Sequence, residues 1–559
     1  MKIVKPVVVC IMMICLCGLV KGQSLPVGTS VREDYYRRAQ LLSVADTNIS
    51  FTVRPVFPNL NHIGQIDSIE RIYNSKSIIS RKFLHQDFQL SLLPVSIQTQ
   101  FNSDHPYGWN EAPMIPAKGF QTVASAGFFL RYGPLSIQLK PEFADAQNQS
   151  FPTFNPIQYD VIFARYYDIY NNVDLPVRFG TTAYKKAYWG QSSIRLNYKS
   201  LSIGVSTENL WWGPGIQNSL LMSNTAPGFA HITLNTIKPI QTPIGSFEGQ
   251  IIAGKLENSD FPPLIPDHYF FSTDLYVPKP ADWRYLKGFI LSWQPKWVPG
   301  LFLGYDAASQ TYERNLNSFS DYLPFFSPVK KTTAPDNSIN TQDQLSSVFM
   351  RWLWTKEHAE FYFEWGQYNN SQDLYQLLLA PNNSRAYIVG LRKLVPFNRI
   401  KNQNILIGIE VTQLQGNSIS NIESGKEWYV SQSTRQGYTN QGQELGAGIG
   451  PGGNLQSLEV SWVKGLKKIG LQLQRYVHNN DFYYYAFYDS FDYSRHWVDL
   501  SLAATWEWNY KNFIFNAKLM GIKSLDYQWA LKQNGDDPFF VNQTSINSLQ
   551  IQAGISYKL

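Results

Sequence analysis

The chain has 559 residues and a formal net charge of +6, half of which comes from Lys2, Lys5 and Lys21 near the N-terminus. That balance is too weak to argue for a nucleic-acid partner. Charged residues are only 16% of the chain while aromatics reach 15%, and with charge normally near 25% this composition fits a wall that meets lipid and carries aromatic girdles.

Residues 1–22 read as a secretory signal. Lys2 and Lys5 precede a continuous apolar stretch over 7–20, and Val20 and Gly22 are small enough for cleavage before Gln23. The stretch is short of the ~20 residues a membrane helix needs. Cys10, Cys15 and Cys17 all lie within it. Leu16, directly before Cys17, is too large for a lipoprotein signal. The exported chain then has neither a disulfide nor a thiolate, which suits a bacterial envelope protein.

Residues 31–44 predict a helix with Tyr35, Ala39 and Leu42 on one face, and 67–75 a second with Asp67 as a possible cap. Between them, 49–57 looks extended. Residues 23–82 are expected to form a small helical segment, periplasmic or plugging the barrel from below. The remainder, 83–559, is expected to be a transmembrane barrel.

From Phe83 onward the period becomes two. Leu135, Ile137 and Leu139 alternate with Ser136, Gln138 and Lys140. Phe361, Phe363 and Trp365 alternate with Glu360, Tyr362 and Glu364. Ile405, Ile407, Ile409 and Val411 make a further series, and Leu458, Val460 and Trp462 another. The clearest runs from Val498 through Leu500, Leu502, Ala504 and Trp506 to Trp508, against Asp499, Ser501, Thr505 and Glu507. Such strands have water on one side and apolar surroundings on the other. Several reach the ~10 residues of a tilted spanning strand. Trp and Tyr gather near run ends, as at Trp506, Trp508 and Tyr510, and at Tyr483 and Tyr485. No apolar run after residue 22 is long enough for a helical span, so a membrane protein of this sequence must be a closed barrel. The last strand carries Leu549, Ile551, Ala553, Ile555, Tyr557 and Leu559 on one face. It resembles the assembly signal of outer-membrane barrels, which makes the barrel assembly machinery an expected partner alongside outer-membrane lipid. The length allows 16 to 20 strands at ~10 residues each. Long polar loops are expected at 258–267, 315–342, 415–453 and 526–543.

Three blocks carry candidate function. The densest runs from Ser206 through Glu208, Asn209, Trp211 and Trp212 to Gly213, Pro214 and Gly215, followed by Ala226, Pro227, Gly228 and His231. Two adjacent Trp on a regular strand point to opposite faces, so one should reach the lumen or a loop. Sugar rings stack on Trp while Asn, Glu and Arg bond their hydroxyls. Packing and girdle roles are the alternative. The other blocks are Tyr107, Gly108, Trp109 and Asn110, and Tyr188, Trp189, Gly190, Gln191 and Arg195.

Taken in order, and with Leu135 to Gln138, Pro141, Glu142 and the run Lys238, Pro239, Ile240, these blocks resemble the Wzi family of capsule assembly proteins in its Bacteroidota-type form. The match runs over about 107–256. The resemblance implies an antiparallel outer-membrane barrel of about eighteen strands with a periplasmic N-terminal helical bundle. It also implies a lectin, not an enzyme, that holds capsular or exopolysaccharide at the cell surface. The polysaccharide-binding candidates are Trp109, Trp189, Arg195, Glu208, Asn209, Trp211, Trp212 and His231.

None of the eight His sits in a nucleophile or paired-His metal motif, and no Gly-x-Ser-x-Gly elbow occurs. Neither a catalytic site, a metal nor a cofactor is expected, and the protein is expected to be a monomer. The alternative function is a diffusion pore. Its lumen would be lined by Glu360, Glu364, Glu410, Glu459, Asp499 and Glu507 against Lys140, Arg195 and Lys518.

Overall fold

The computed structural model describes residues 23–57, 77–83, 86–154, 158–317, 319–322, 342–368, 385–397, 403–416, 427–487, 495–530 and 545–558. The signal at 1–22, the helix expected at 67–75, Leu559 and much of the expected loops 315–342 and 526–543 lie outside these residues.

A single antiparallel sheet of eighteen strands closes into a barrel. The seam is formed by the last strand, Ser545–Tyr557, pairing with Gln86–Asn102, with Gln550 opposite Asn102 and Tyr557 opposite Val95. Just before that seam, Ser77–Phe83 pairs with the start of Gln86–Asn102. Among the described residues no helix is long and apolar enough to cross a membrane.

Strand patterning decides which side faces in. On Val498–Tyr510, Asp499 is fully buried while Leu500 and Leu502 are 43% and 51% exposed. The same inversion holds on Ala359–Tyr368, where Glu360, Tyr362 and Glu364 are buried, and on Asn404–Gln413, where Ile407 and Ile409 are exposed. Polar side chains point into the barrel and apolar ones form an outward belt. Trp506 and Trp508 stack near one edge of that belt, with ring centroids 6.0 Å apart.

One strand position is filled in two pieces. Leu135–Leu139 breaks at Lys140 and resumes as Glu142–Ala146. Its partner breaks at the same level, between Tyr184–Tyr188 and Ser193–Tyr198. Gly190 bridges Lys140 here with φ +57, and a Cβ on it would lie 2.6 Å from the Lys140 carbonyl oxygen. Only glycine meets both demands. The block around Trp189 is therefore a paired kink in the wall.

The two ends differ. Tight turns such as 465–466 and 511–512 close one end. Long connections close the other, and two of them contain helices that the period-two reading omits. Helix α1, Ser30–Leu41, is the expected one. Helices α2, Asp160–Tyr170, and α3, Asn480–Phe487, lie in long loops. Tyr483 and Tyr485 thus belong to a helix and not to a strand-end girdle, which corrects the reading of that run. Its aromatic spacing alone does not separate strand ends from a helix of two turns.

The interior is packed. Loops 207–230 and 427–453 fold in from the long-loop end and share one apolar core with inward wall residues, including Trp212, Leu220, Leu221, Trp428, Tyr429, Leu286 and Phe349. From the short-turn end, α1 packs Val31, Tyr35 and Ala39 on Leu466 and Ile514, and Leu41 on Leu353 and Leu406. Residues Val53–Arg54, in the stretch expected to be extended, pair inside the barrel with Trp211–Trp212. A pore would need an open path where this core sits.

Candidate functional site

Two regions concentrate chemistry: the plugged lumen and an aromatic cap over the long-loop end.

In the lumen, wall carboxylates hold the turn that follows the Trp pair. Glu410 accepts the backbone N–H groups of Ile216 at 2.8 Å and of Gln217 and Asn218 at 3.0 Å, with the Tyr362 hydroxyl donating at 2.7 Å. Glu364 accepts the Leu220 N–H at 3.2 Å. A Cβ on Gly213, where φ is +103, would lie 2.5 Å from the Glu364 carboxylate. The turn can approach the wall only because that residue is glycine.

Next to it, a charge network ties α1 to the wall. Glu360 pairs with Arg351 at 2.7 Å, Arg37 at 2.9 Å and Arg392 at 3.6 Å. Arg351 also donates to the Gln40 side chain and the Ser50 carbonyl. Asp34 pairs with Arg38 at 2.7 Å and with Arg392. Burial alone would raise the Asp34 carboxyl, but Lys468, Arg38 and Arg392 hold it well below the usual range. Of the wall residues expected to line a pore, Glu360, Glu364 and Glu410 are thus bound to the plug, whereas Lys140, Glu459, Glu507 and Lys518 border a lumenal cavity.

The eight sequence-selected residues separate clearly. Arg195 donates to Glu208 and to Asn235, both at 2.7 Å. Glu208 also accepts from Ser24, Ser206 and Gln138. Burial opposes its ionisation, yet Arg195 and these donors keep its pKa low. Asn209 donates to the Ala226 carbonyl at 2.8 Å and accepts from Gln191 at 2.9 Å. The Trp212 indole donates to Gln250 at 2.9 Å and the ring is fully buried. His231 bonds the Phe229 carbonyl at 2.8 Å and is buried. Trp211 lies under the Arg54 guanidinium, 4.3 Å from its ring centroid. Trp109 is half-buried between Tyr107 and Tyr476. Trp189 stands apart, 71% exposed at the wall kink.

Trp109 and Trp211 share a lumenal cavity of about 500 Å³ between the plug and the wall. Its wall side carries amides together with charged groups, among them Lys140, Glu459, Glu507 and Lys518. Gln98 and Asn516 bond each other in both directions at 3.2 Å, and Gln552 donates to Gln100 at 3.0 Å. Gln552 also donates to Glu111. Burial raises the Glu111 carboxyl to about 7, against the pull of Lys518.

The cap was not singled out by sequence. Helices α2 and α3 pack face to face around Phe154, Phe163, Tyr167, Tyr170, Phe482, Tyr483 and Trp529. Tyr485 donates to Asp168 at 2.5 Å, and Lys279 sits 4.5 Å from the Tyr170 ring centroid. Beside α2, the two-residue turn between Tyr269–Phe270 and Thr273–Asp274 places Phe271 at φ +47 and Ser272 at φ +65. Phe271 is 86% exposed, and Tyr269 and Tyr159 are 56% and 54% exposed. The spacing Ile162, Phe163, Tyr166, Tyr167, Tyr170 was the available signal for α2, a 3.6-residue period inside a chain otherwise read at period two.

The family model for the capsule assembly protein Wzi matches residues 110–518. The chain belongs to the Wzi family of capsule assembly proteins. Among solved structures, one titled Wzi from Escherichia coli, an outer membrane protein involved in group 1 capsule assembly and a carbohydrate binding β-barrel, aligns with a TM-score of 0.60 at 12% identity. The alignment covers 96% of this chain and 100% of that one. At that identity the likeness is one of fold. Acinetobacter baumannii OccAB4 and OccAB1 align with TM-scores of 0.37 and 0.36 at 10% and 7% identity, covering 84% and 87% of this chain and 97% and 100% of theirs. No curated protein matches the sequence at a significant level. Among the described residues, no group of three or more His, Asp and Glu comes together as metal ligands.

Proposed function

We propose that the protein is a non-catalytic outer-membrane barrel that binds surface polysaccharide through its aromatic cap and so holds it to the cell. In barrels of this type long loops face outside and short turns face the periplasm. The cap then faces the medium, and α1 plugs the periplasmic end. The observation that carries the reading is Phe271. An apolar ring in the left-handed region at the tip of a hairpin, set against the Phe270 ring yet nearly fully exposed, costs backbone energy and buries little within the protein. Together with the exposed Tyr269 of the same hairpin and Tyr159 at the start of α2, it offers faces on which sugar C–H groups stack. Of the sequence-selected residues, Glu208, Asn209 and Trp212 serve by building the plug under the cap, and Arg195 and His231 by holding its loop from the wall. Trp109 and Trp211 line the cavity below it, and Trp189 has no part in binding.

The packed lumen argues against the pore reading, since wall charges that bind a plug cannot form a water-filled constriction. The test is direct. Full-length protein in detergent is titrated with polysaccharide from the producing cells. Replacing Tyr269 and Phe271 together with Ala should weaken binding about tenfold, equivalent to ~1.4 kcal/mol, with unfolding unchanged. Unaltered binding by a normally folded double variant removes the cap from the proposal.

A further inference from the structure

The outward belt contains a notch with charge above it. Strand register aligns Ile409, Leu458, Leu473, Leu502, Gly521 and Leu549 as a single outward row across six strands. Its large members are 37% to 51% exposed. In this row Gly521 removes a side chain, and a Cβ built there would meet no other heavy atom within 4 Å. The result is a groove of about 780 Å³ between Leu473, Leu500 and Leu502 on one side and the final strand on the other. The next outward row toward the long-loop end reads Gln456, Arg475, Leu500, Lys523 and Asn547. Arg475 and Lys523 are exposed, with one strand between them, which sets their backbones about 10 Å apart. Arg475 is steadied by donating to Gln456 at 3.0 Å.

We infer that this groove is a specific site for an outer-leaflet glycolipid with a bisphosphorylated sugar headgroup, its phosphates on Arg475 and Lys523 and one acyl chain in the Gly521 notch. Three features converge on that occupant. The missing side chain leaves open space in a row that otherwise presents branched aliphatics. The two cations stand at the long-loop edge of the belt, where a headgroup of the outer leaflet sits. Their separation suits two phosphates joined by a disaccharide, whereas the single phosphate of a glycerophospholipid reaches only one of them. Guanidinium and ammonium groups at an interface both favour phosphate. The inference concerns the wall and is independent of the cap.

Native mass spectrometry of the full-length protein tests it with three probes: bisphosphorylated lipid A, its dephosphorylated form and dioleoylphosphatidylglycerol. The wild type should retain one lipid A with at least tenfold preference over either other lipid. Arg475→Gln with Lys523→Gln should lose that preference. Gly521→Leu should fill the notch and cut lipid A occupancy about tenfold, with the barrel still folded by heat-modifiable gel mobility. Equal retention of the three lipids by the wild type overturns the inference, as does wild-type selectivity in both variants.

Discussion

Strands Asp343–Trp354 and Ala359–Tyr368 meet the plug with charge, whereas strands Gln86–Asn102, Phe513–Leu525 and Ser545–Tyr557 meet the lumenal cavity mainly with amides, Lys518 being the charged side chain among them. On the first side Glu360 is enclosed by Arg37, Arg351 and Arg392. On the second, Gln98 bonds Asn516 and Gln552 bonds Gln100 beside a cavity, with Gln98, Asn516 and Gln552 half-buried and Gln100 buried. A buried ion is tolerated only where its partners are fixed and complete. A neutral amide exchanges one partner for water at small cost. A carboxylate shared by three guanidinium groups therefore marks the surface where the plug is held in one position, and amides, with Lys518 and Glu111 among them, mark the surface left open.

The largest effect should come from breaking the charged side. Glu360→Ala leaves three buried guanidinium groups without their shared carboxylate, and a loss of about 3–5 kcal/mol is expected, measured by denaturant unfolding in detergent. Acid should act on the same region through Asp34. Its folded pKa is depressed, so its stabilisation is present above the ordinary carboxylate pKa and is lost as pH falls toward the folded value.

A smaller effect of opposite sign sharpens the contrast on the amide side. Burial raises Glu111 to about 7 from an ordinary 4.5. The folded state then binds the proton more tightly than the unfolded one between those values. Stability should decline as pH rises from about 4.5 to about 7 and level off above. Glu111→Gln should flatten that segment of a melting-temperature profile taken between pH 4 and 8, and a profile with the wild-type slope would remove Glu111 as its source.

The smallest effect is expected outside both regions. Trp189 is 71% exposed at the wall kink, so Trp189→Ala should change stability by no more than about 0.5 kcal/mol. A larger loss in the same unfolding assay would mean that the ring packs against something beyond the isolated chain.

Much of the fold was legible because a barrel wall repeats one local rule. Val498 to Trp508 shows it: every second residue apolar, Asp499 and Ser501 between them, and the structure turns those polar groups inward. Helix α1 was legible from Tyr35 and Ala39 sharing a face. The site was legible only as composition. The Trp211 and Trp212 block was singled out, but its neighbours in space are Arg54, Gln250, Glu364 and Glu410, which no spacing in that block encodes.

The sequence by itself determined the strand period, the inward polar face, the lack of any apolar run after residue 22 long enough for a helical span, and the glycines at the lumenal turn and the wall kink. These follow from contacts between near neighbours along the chain. Only the tertiary structure decided that the lumen is filled, that Glu360 and Glu410 bind the plug instead of lining a channel, and that Phe271 stands exposed on the cap. The contacts that decide the first two, Glu360 with Arg37 and Glu410 with the turn at Ile216, join segments more than a hundred residues apart, brought together because the closed sheet encloses them.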